Sequence, residues 1–433
     1  MIPLALNGLA IPSSTTRIRR YVLGVLVVVY TFNFIDRQIL SILMQSIKAD
    51  LGLSDQALGL LAGFAFAACY ASIGIPLALW ADRRNRRNLI SLSLAIWSAM
   101  TAVCGLAQNF WQLALARIGV GIGEAGCSPA AHSLISDYYP PKERATALGI
   151  YALGIPLGIM FGLFIGGWIN QRFGWRAAFF VVGIPGLLLA LLVRLTLPEP
   201  RRGLSEQRAT SGAAPSFRAT LRFVSARPAF LHLSFGSALA AFLGYGTAAW
   251  FPAFLIRSHG MSTSEIGFKF GLLSGVVGGL GMFLGGVLAD RLGARDPRWY
   301  GWIVAVGMLA AMPFGAAAYW VQDPTWALLL FIPSIFAANF WQATTLAQVQ
   351  SMVGLQMRAM ASAILLFVVS MIGLGIGPWA IGWVSDLLKP SYGADSLRWS
   401  LFLFGGINVW VAWHYYAGGK HLARDLARAD DLT

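Results

Sequence analysis

Four ionisable side chains fall inside long apolar stretches: Asp36 and Arg37 in YTFNFIDRQIL, and Arg117 and Glu124 in LARIGVGIGEAG. Charged groups are costly in such surroundings, and where they occur they tend to carry ions, protons or substrate. On a helix seven residues turn through about 700°, so Arg117 and Glu124 share one stripe roughly 10 Å apart along the axis. Asp36 and Arg37 stand about 100° apart, so one faces a central cavity most directly and the other a contact within the bundle. This spacing suits a coupling site. Glu124 or Asp36 would carry the proton, and Arg117 would be the switchable partner that stabilises the carboxylate until an anionic substrate draws it away. The plainer alternative is a static ion-pair network among Asp36, Arg117 and Glu124 that fixes helix positions.

The elements that hold these residues follow from composition. Hydrophobic residues make up 57% of the 433 and charged residues only 12%, about half the usual share of ~25%. A soluble enzyme, a secreted scaffold and a disordered chain are excluded. A membrane-crossing helix takes about 20 apolar residues. Twelve such stretches run over 20–44, 56–80, 89–107, 111–137, 143–169, 175–197, 229–256, 264–289, 299–320, 325–350, 359–384 and 397–418. The predicted fold is an all-α membrane protein with twelve transmembrane helices in two pseudo-symmetric six-helix bundles. Its parts are an N-terminus (1–19), a first bundle (20–197), a flexible linker (198–228), a second bundle (229–418) and a tail (419–433). The apolar start lacks a small-residue cleavage site and does not read as a removable signal peptide.

Orientation follows from the basic residues. The termini, the even-numbered loops and the linker carry 23 Lys and Arg, the opposite loops 7. Positive residues favour the cytoplasmic side, which puts both termini in the cytoplasm and the chain in the cytoplasmic (inner) membrane. The net charge of +14 is thus a topology signal and gives no reason to expect nucleic acid.

Matching punctuation recurs in the two halves. Asp82 pairs with Asp290, Arg144 with Arg358 and Trp168 with Trp383, at offsets of 208, 214 and 215. Nearly equal offsets in order indicate a duplicated six-helix unit, an architecture common among secondary transporters. The loop Gly286–Arg295, GVLADRLGAR, resembles the cytoplasmic loop motif of the major facilitator superfamily, and Ala78–Arg87 is a degraded copy. Within that superfamily, NFIDRQIL (33–40) and ARIGVGIGEAGCSPAAHSLISDYYPPKERATALGIY (116–151) resemble the Spinster family. The resemblance implies proton-coupled alternating access and an amphiphilic cargo of lysolipid or sphingolipid type with a phosphate headgroup. It implicates Asp36, Arg37, Arg117 and Glu124 in coupling and headgroup contact. Organic-anion symporters of the same superfamily share D-R in span one and E-A-G in span four, so a proton-coupled carrier of small organic anions is the alternative.

Further residues are candidates by position. Tyr245 and Trp250 in span seven, and Asn339, Gln342 and Thr345 in span ten, offer a polar and aromatic cavity lining for substrate; a polar stripe also serves helix packing. Asp82, Arg83, Arg86, Asp137, Arg144, Asp290, Arg291 and Arg295 read as a conformational latch at the cytoplasmic ends of the spans. The glycines of spans five, eight and eleven, Gly158, Gly162 and Gly166 among them, mark helix faces that approach closely and slide. Signals for enzymatic chemistry are weak. His132 and Asp137 lie about 140° apart on a helix, the five histidines show no metal spacing, and no phosphate-binding glycine loop precedes a Lys-Ser/Thr. The expected partners are a small-molecule or lipid substrate and membrane lipids, with no cofactor beyond the proton and a monomer as the default state.

Overall fold

In hydrocarbon every backbone N–H and C=O must be satisfied within its own segment, which leaves apolar stretches of this length helical. The computed structural model describes residues 13–83, 85–200 and 216–427. The side chains of Asp82 and Arg83, two of the expected latch residues, lie outside the described residues. Among the described residues the regular elements are all helical.

Span one is α1 (Ser13–Leu51). Span two is α2 (Asp55–Ala62) and α3 (Phe64–Arg83), broken at Gly63, and span three is α4 (Arg86–Cys104). Span four is α5 (Phe110–Ala125) and α6 (Cys127–Tyr138), interrupted at Gly126 just after Glu124. Span five is α7 (Pro141–Ala152) and the first half of α8 (Gly154–Thr196). The rest of α8 is span six, the chain reversing at Gly174, whose φ of 81° only glycine adopts readily.

In the second half, span seven is α10 (Pro228–His259), span eight α11 (Thr263–Gly293) and span nine α12 (Trp299–Trp320). Span ten is α13 (Pro324–Ala338) and α14 (Trp341–Ser351). Span eleven is α15 (Arg358–Val368), a π-helical stretch over Val369–Ile376, and α16 (Gly377–Tyr392). Span twelve is α17 (Ser396–Gly405) and α18 (Ile407–Leu426). Within the expected linker, α9 (Phe217–Ser225) buries Thr220, Phe223 and Val224.

Nine of the described stretches are long and apolar enough to cross a membrane. Two of them, of 55 and 67 residues, exceed one crossing and each holds two spans, turning at Gly174 and Gly393. Span four is divided into helices too short to register singly. These additions bring the nine to twelve.

The bundles meet along two related seams, α8 against α11 and the pair α2/α3 against the span-eleven helices. A Cβ at Gly267 would stand 2.4 Å from the Leu163 carbonyl oxygen, and one at Gly59 would stand 2.3 Å from that of Pro378. Such approach is possible only without a side chain. The ladder Gly158, Gly162 and Gly166 lies elsewhere. It packs on Phe34, Ile35 and Ile39 of α1, inside the first bundle, so its close approach fixes a static contact. The apolar core has two parts. One joins the first bundle to the Phe251–Leu255 region of α10, and the other lies wholly in the second half.

Candidate functional site

The four intramembrane charges converge between α1 and α5. Arg37 Nε donates to Glu124 Oε2 at 2.6 Å. Glu124 is fully buried, whereas Arg37 reaches a central cavity of about 450 Å³. The guanidinium lies over three rings, Phe34 and Phe66 at 5.0 Å and Tyr70 at 4.6 Å, faces that attract a cation. Arg117 is buried against Phe66, 5.5 Å from its centroid, and donates to the Asp36 backbone carbonyl at 3.3 Å. It does not line the cavity and does not pair with Glu124. The partner that stands between acid and cavity is therefore Arg37, and the expectation of Arg117 as the switchable, substrate-facing group is corrected. Arg117 lies midway along α5, two turns before Glu124 on the same stripe, and at that level it meets the Phe66 ring and the α1 backbone.

Asp36 faces away from the cavity, buried beside Trp97 and Thr101. Among the described residues Asp36 Oδ1, Glu124 Oε1, Arg117 Nε and both polar atoms of Asn33 have no hydrogen-bond partner. Unpartnered buried polar groups each cost about 1–3 kcal/mol. Stability alone does not favour such an arrangement.

The cavity wall on α1 is Phe34, Arg37, Gln38, Leu40 and Ser41, of which Phe34, Arg37, Gln38 and Ser41 lie three and four residues apart on one helical face. Gln38 and Ser41 were missed in the sequence reading, although this periodicity beside Arg37 signals them. From the second bundle Tyr245, Asn339 and Gln342 line the cavity as expected. Gln342 donates to Asn339 at 3.2 Å, and Asn339 donates to the Ile335 carbonyl at 2.7 Å, where α13 gives way to α14. Two other expected contacts are absent. Trp250 is fully buried and donates to the Pro378 carbonyl at 2.7 Å. Thr345 is buried and shares a 2.5 Å hydrogen bond with the Tyr415 hydroxyl. Both side chains lock helix to helix and do not reach substrate. Among the described residues Arg37 is the one charged residue of the lining, and most of the rest is Ala, Gly, Met, Leu and Phe.

The expected latch resolves into separate parts. Arg86 is buried and binds Asp137, Glu199 at 2.9 Å and the Ser133 hydroxyl at 3.0 Å. It ties α4 to α6 and to the end of α8 within one bundle. Arg144 donates to the Ser136 carbonyl at 3.1 Å, also locally. Asp290, Arg291 and Arg295 are exposed and form no ion pair among the described residues. The polar contacts that join the bundles gather instead at the end away from the termini. There Arg257 of α10 binds Asp55 of α2 through two bonds of 2.7 and 2.6 Å and reaches Gln45 of α1 at 2.8 Å. Lys48 also pairs with Asp55, and Ser385 donates to it at 2.8 Å. Asp386 accepts the Asp55 and Gln56 backbone N–H groups at 3.2 and 2.7 Å, capping α2. The far end is closed by charges at helix ends that only folding brings together.

Known proteins place this geometry. The family model described as Major Facilitator Superfamily matches residues 26–378. An MFS-type efflux pump of Mycolicibacterium smegmatis is 37% identical over 396 residues, covering 90% of this chain and 91% of its own. Protein spinster homolog 1 of Rattus norvegicus is 29% identical, covering 85% of this chain and 73% of its own. A crystal structure of a bacterial homolog of the human lysosomal transporter Spinster, in an inward-facing and unoccupied conformation, superposes with a TM-score of 0.87 at 35% identity, covering 94% of this chain and 98% of that one. The duplicated six-helix bundles, the cavity between them and these likenesses agree: the chain belongs to the major facilitator superfamily and is a Spinster-like membrane transporter.

Proposed function

We propose that the protein moves an amphiphilic anion of lysolipid or sphingolipid type by alternating access, driven by protons. The observation that carries this reading is Arg37, a lone cationic group on an otherwise apolar and amide wall, tied by 2.6 Å to a fully buried carboxylate. A guanidinium presents a planar fork suited to phosphate or carboxylate oxygens. An anionic headgroup drawing Arg37 into the cavity strips Glu124 of its counter-charge, and an isolated buried carboxylate is neutralised by a proton. The four charges Asp36, Arg37, Arg117 and Glu124 sum to zero, so one proton gained offsets one negative charge brought in. Asp36, one helical step behind, serves as a second acceptor. The apolar lining, with Met282, Met308 and Met312, suits a flexible hydrocarbon tail, as methionine adapts to irregular shapes. The basic excess at the end bearing the termini supports a cytoplasmic-membrane location with both termini inside.

The test uses purified protein in liposomes under an imposed pH gradient, following a labelled lysolipid and, separately, small organic acids. Gradient-dependent lysolipid movement that is lost in Glu124→Gln is the expected result. Movement of the small acids alone would keep the fold and overturn the cargo, leaving Arg37 as a carboxylate clamp. Transport indifferent to pH, in wild type and in the Asp36→Asn and Glu124→Gln variants alike, would remove the coupling role.

A further inference from the structure

Three of the five histidines, scattered in sequence, meet on the outer face of the second bundle. His232 lies in the first turns of α10, and His414 and His421, seven residues apart, lie on one stripe of α18. The Nδ1 atoms of His232 and His414 stand 3.1 Å apart, and the His421 ring lies parallel to that of His232 at 6.1 Å between centroids. Trp410, Trp413 and Phe235, each at least half exposed, surround them. None of these residues lines the central cavity.

In the neutral pair one imidazole donates through Nδ1–H and the other accepts on its Nδ1 lone pair. A further proton turns N–H against N–H at that contact, and an anion is needed to offset the repulsion. The neighbouring elements do not supply one. Lys420, Arg424, Tyr415 and Tyr416 share α18 with the cluster, Arg227 precedes α10, and Arg298 and Tyr300 stand at the start of α12, which packs on α18. Of the acids near these segments, Asp425 is buried and already accepts the Ala229 N–H at 2.9 Å beside Arg424 at 3.6 Å, and Asp296 accepts the Arg298 N–H at 2.9 Å. The missing anion therefore comes from outside the protein. His232 and His421 lie near the ends of spans seven and twelve, the level at which lipid headgroups lie. A metal is less suited, since no three His, Cys, Asp or Glu among the described residues stand as ready ligands.

We propose that His232, His414 and His421 form a binding site for the phosphate of an anionic membrane lipid, occupied when the imidazoles are protonated. The site is separate from the transport cavity, and it makes the lipid grip of the second bundle depend on pH.

The experiment measures binding of fluorescent phosphatidylglycerol, against phosphatidylcholine, to the full protein in detergent micelles at about pH 5.5 and about pH 8. The expected result is at least about fivefold tighter phosphatidylglycerol binding at the lower pH, with phosphatidylcholine unaffected. His232→Gln and His421→Gln, each checked for monodisperse elution, lose that gain while keeping the weak binding seen at the higher pH. An equal gain in both variants, or none in wild type, overturns the proposal. Inorganic phosphate that displaces the lipid at equal concentration would assign the site to a free anion and overturn the lipid reading.

Discussion

Arg37 holds two competing sets of partners, the Glu124 carboxylate on one side and the rings of Phe34, Phe66 and Tyr70 on the other. The rings attract a cation in any orientation over their faces and give the guanidinium a partner besides the carboxylate. Lysine cannot reproduce the planar fork. Arg37→Lys is therefore expected to weaken binding of an anionic substrate by roughly tenfold, about 1.4 kcal/mol, measured by quenching or calorimetry on folded protein. Arg117 differs, being buried and bonded to backbone. Arg117→Met should lower the thermal midpoint of the purified protein while leaving the substrate Kd of the folded fraction within about twofold. A large change in Kd with an unchanged midpoint would return Arg117 to the cavity.

At the scale of the helix, the two seams have separate tasks from the static packing around them. Gly267 of α11 meets the backbone of α8, and Gly59 of α2 meets that of α16. Both contacts join different bundles in the structure with the far end closed. Gly267→Leu should leave each bundle folded and disfavour the closed far end, seen as increased labelling of a cysteine introduced near Ser264 by a membrane-impermeant reagent. The same substitution at Gly158, whose Cβ would lie 2.4 Å from that of Phe34 inside the first bundle, should instead reduce yield and monodispersity. Breaks within spans also have local causes. Span four interrupts at Gly126 immediately after Glu124, and span eleven carries a π stretch over Val369–Ile376, a distortion often found at functional positions.

For the whole molecule, the closure at Asp55 decides which end of the cavity is sealed. Asp55 belongs to the first half, and Arg257, Ser385 and Asp386 belong to the second. Removing one member of such a buried pair leaves the other charge uncompensated. Asp55→Asn is expected to move the conformational equilibrium away from far-end closure by about 2 kcal/mol, a population change of roughly thirtyfold. Distances between spin labels on α2 and α10 would report it, and an unchanged distribution would show that the seams alone hold the closure.

Much of this architecture is readable from the chain: composition and run length specify the spans, the doubled punctuation specifies two related bundles, and Asp36, Arg37 and Glu124 are visible because charge is rare in apolar helices. Gln38 and Ser41 are recoverable from helical spacing beside Arg37. Which arginine serves Glu124, however, depends on the phase of α1 against α5. The inward turn of Trp250 and Thr345, the Asp55 closure and the meeting of three histidines depend on how helices far apart in sequence lie side by side. Apolar periodicity is a property of one segment and is written locally. A contact between segments is set by packing and crossing geometry, and that information exists only once the chain has folded.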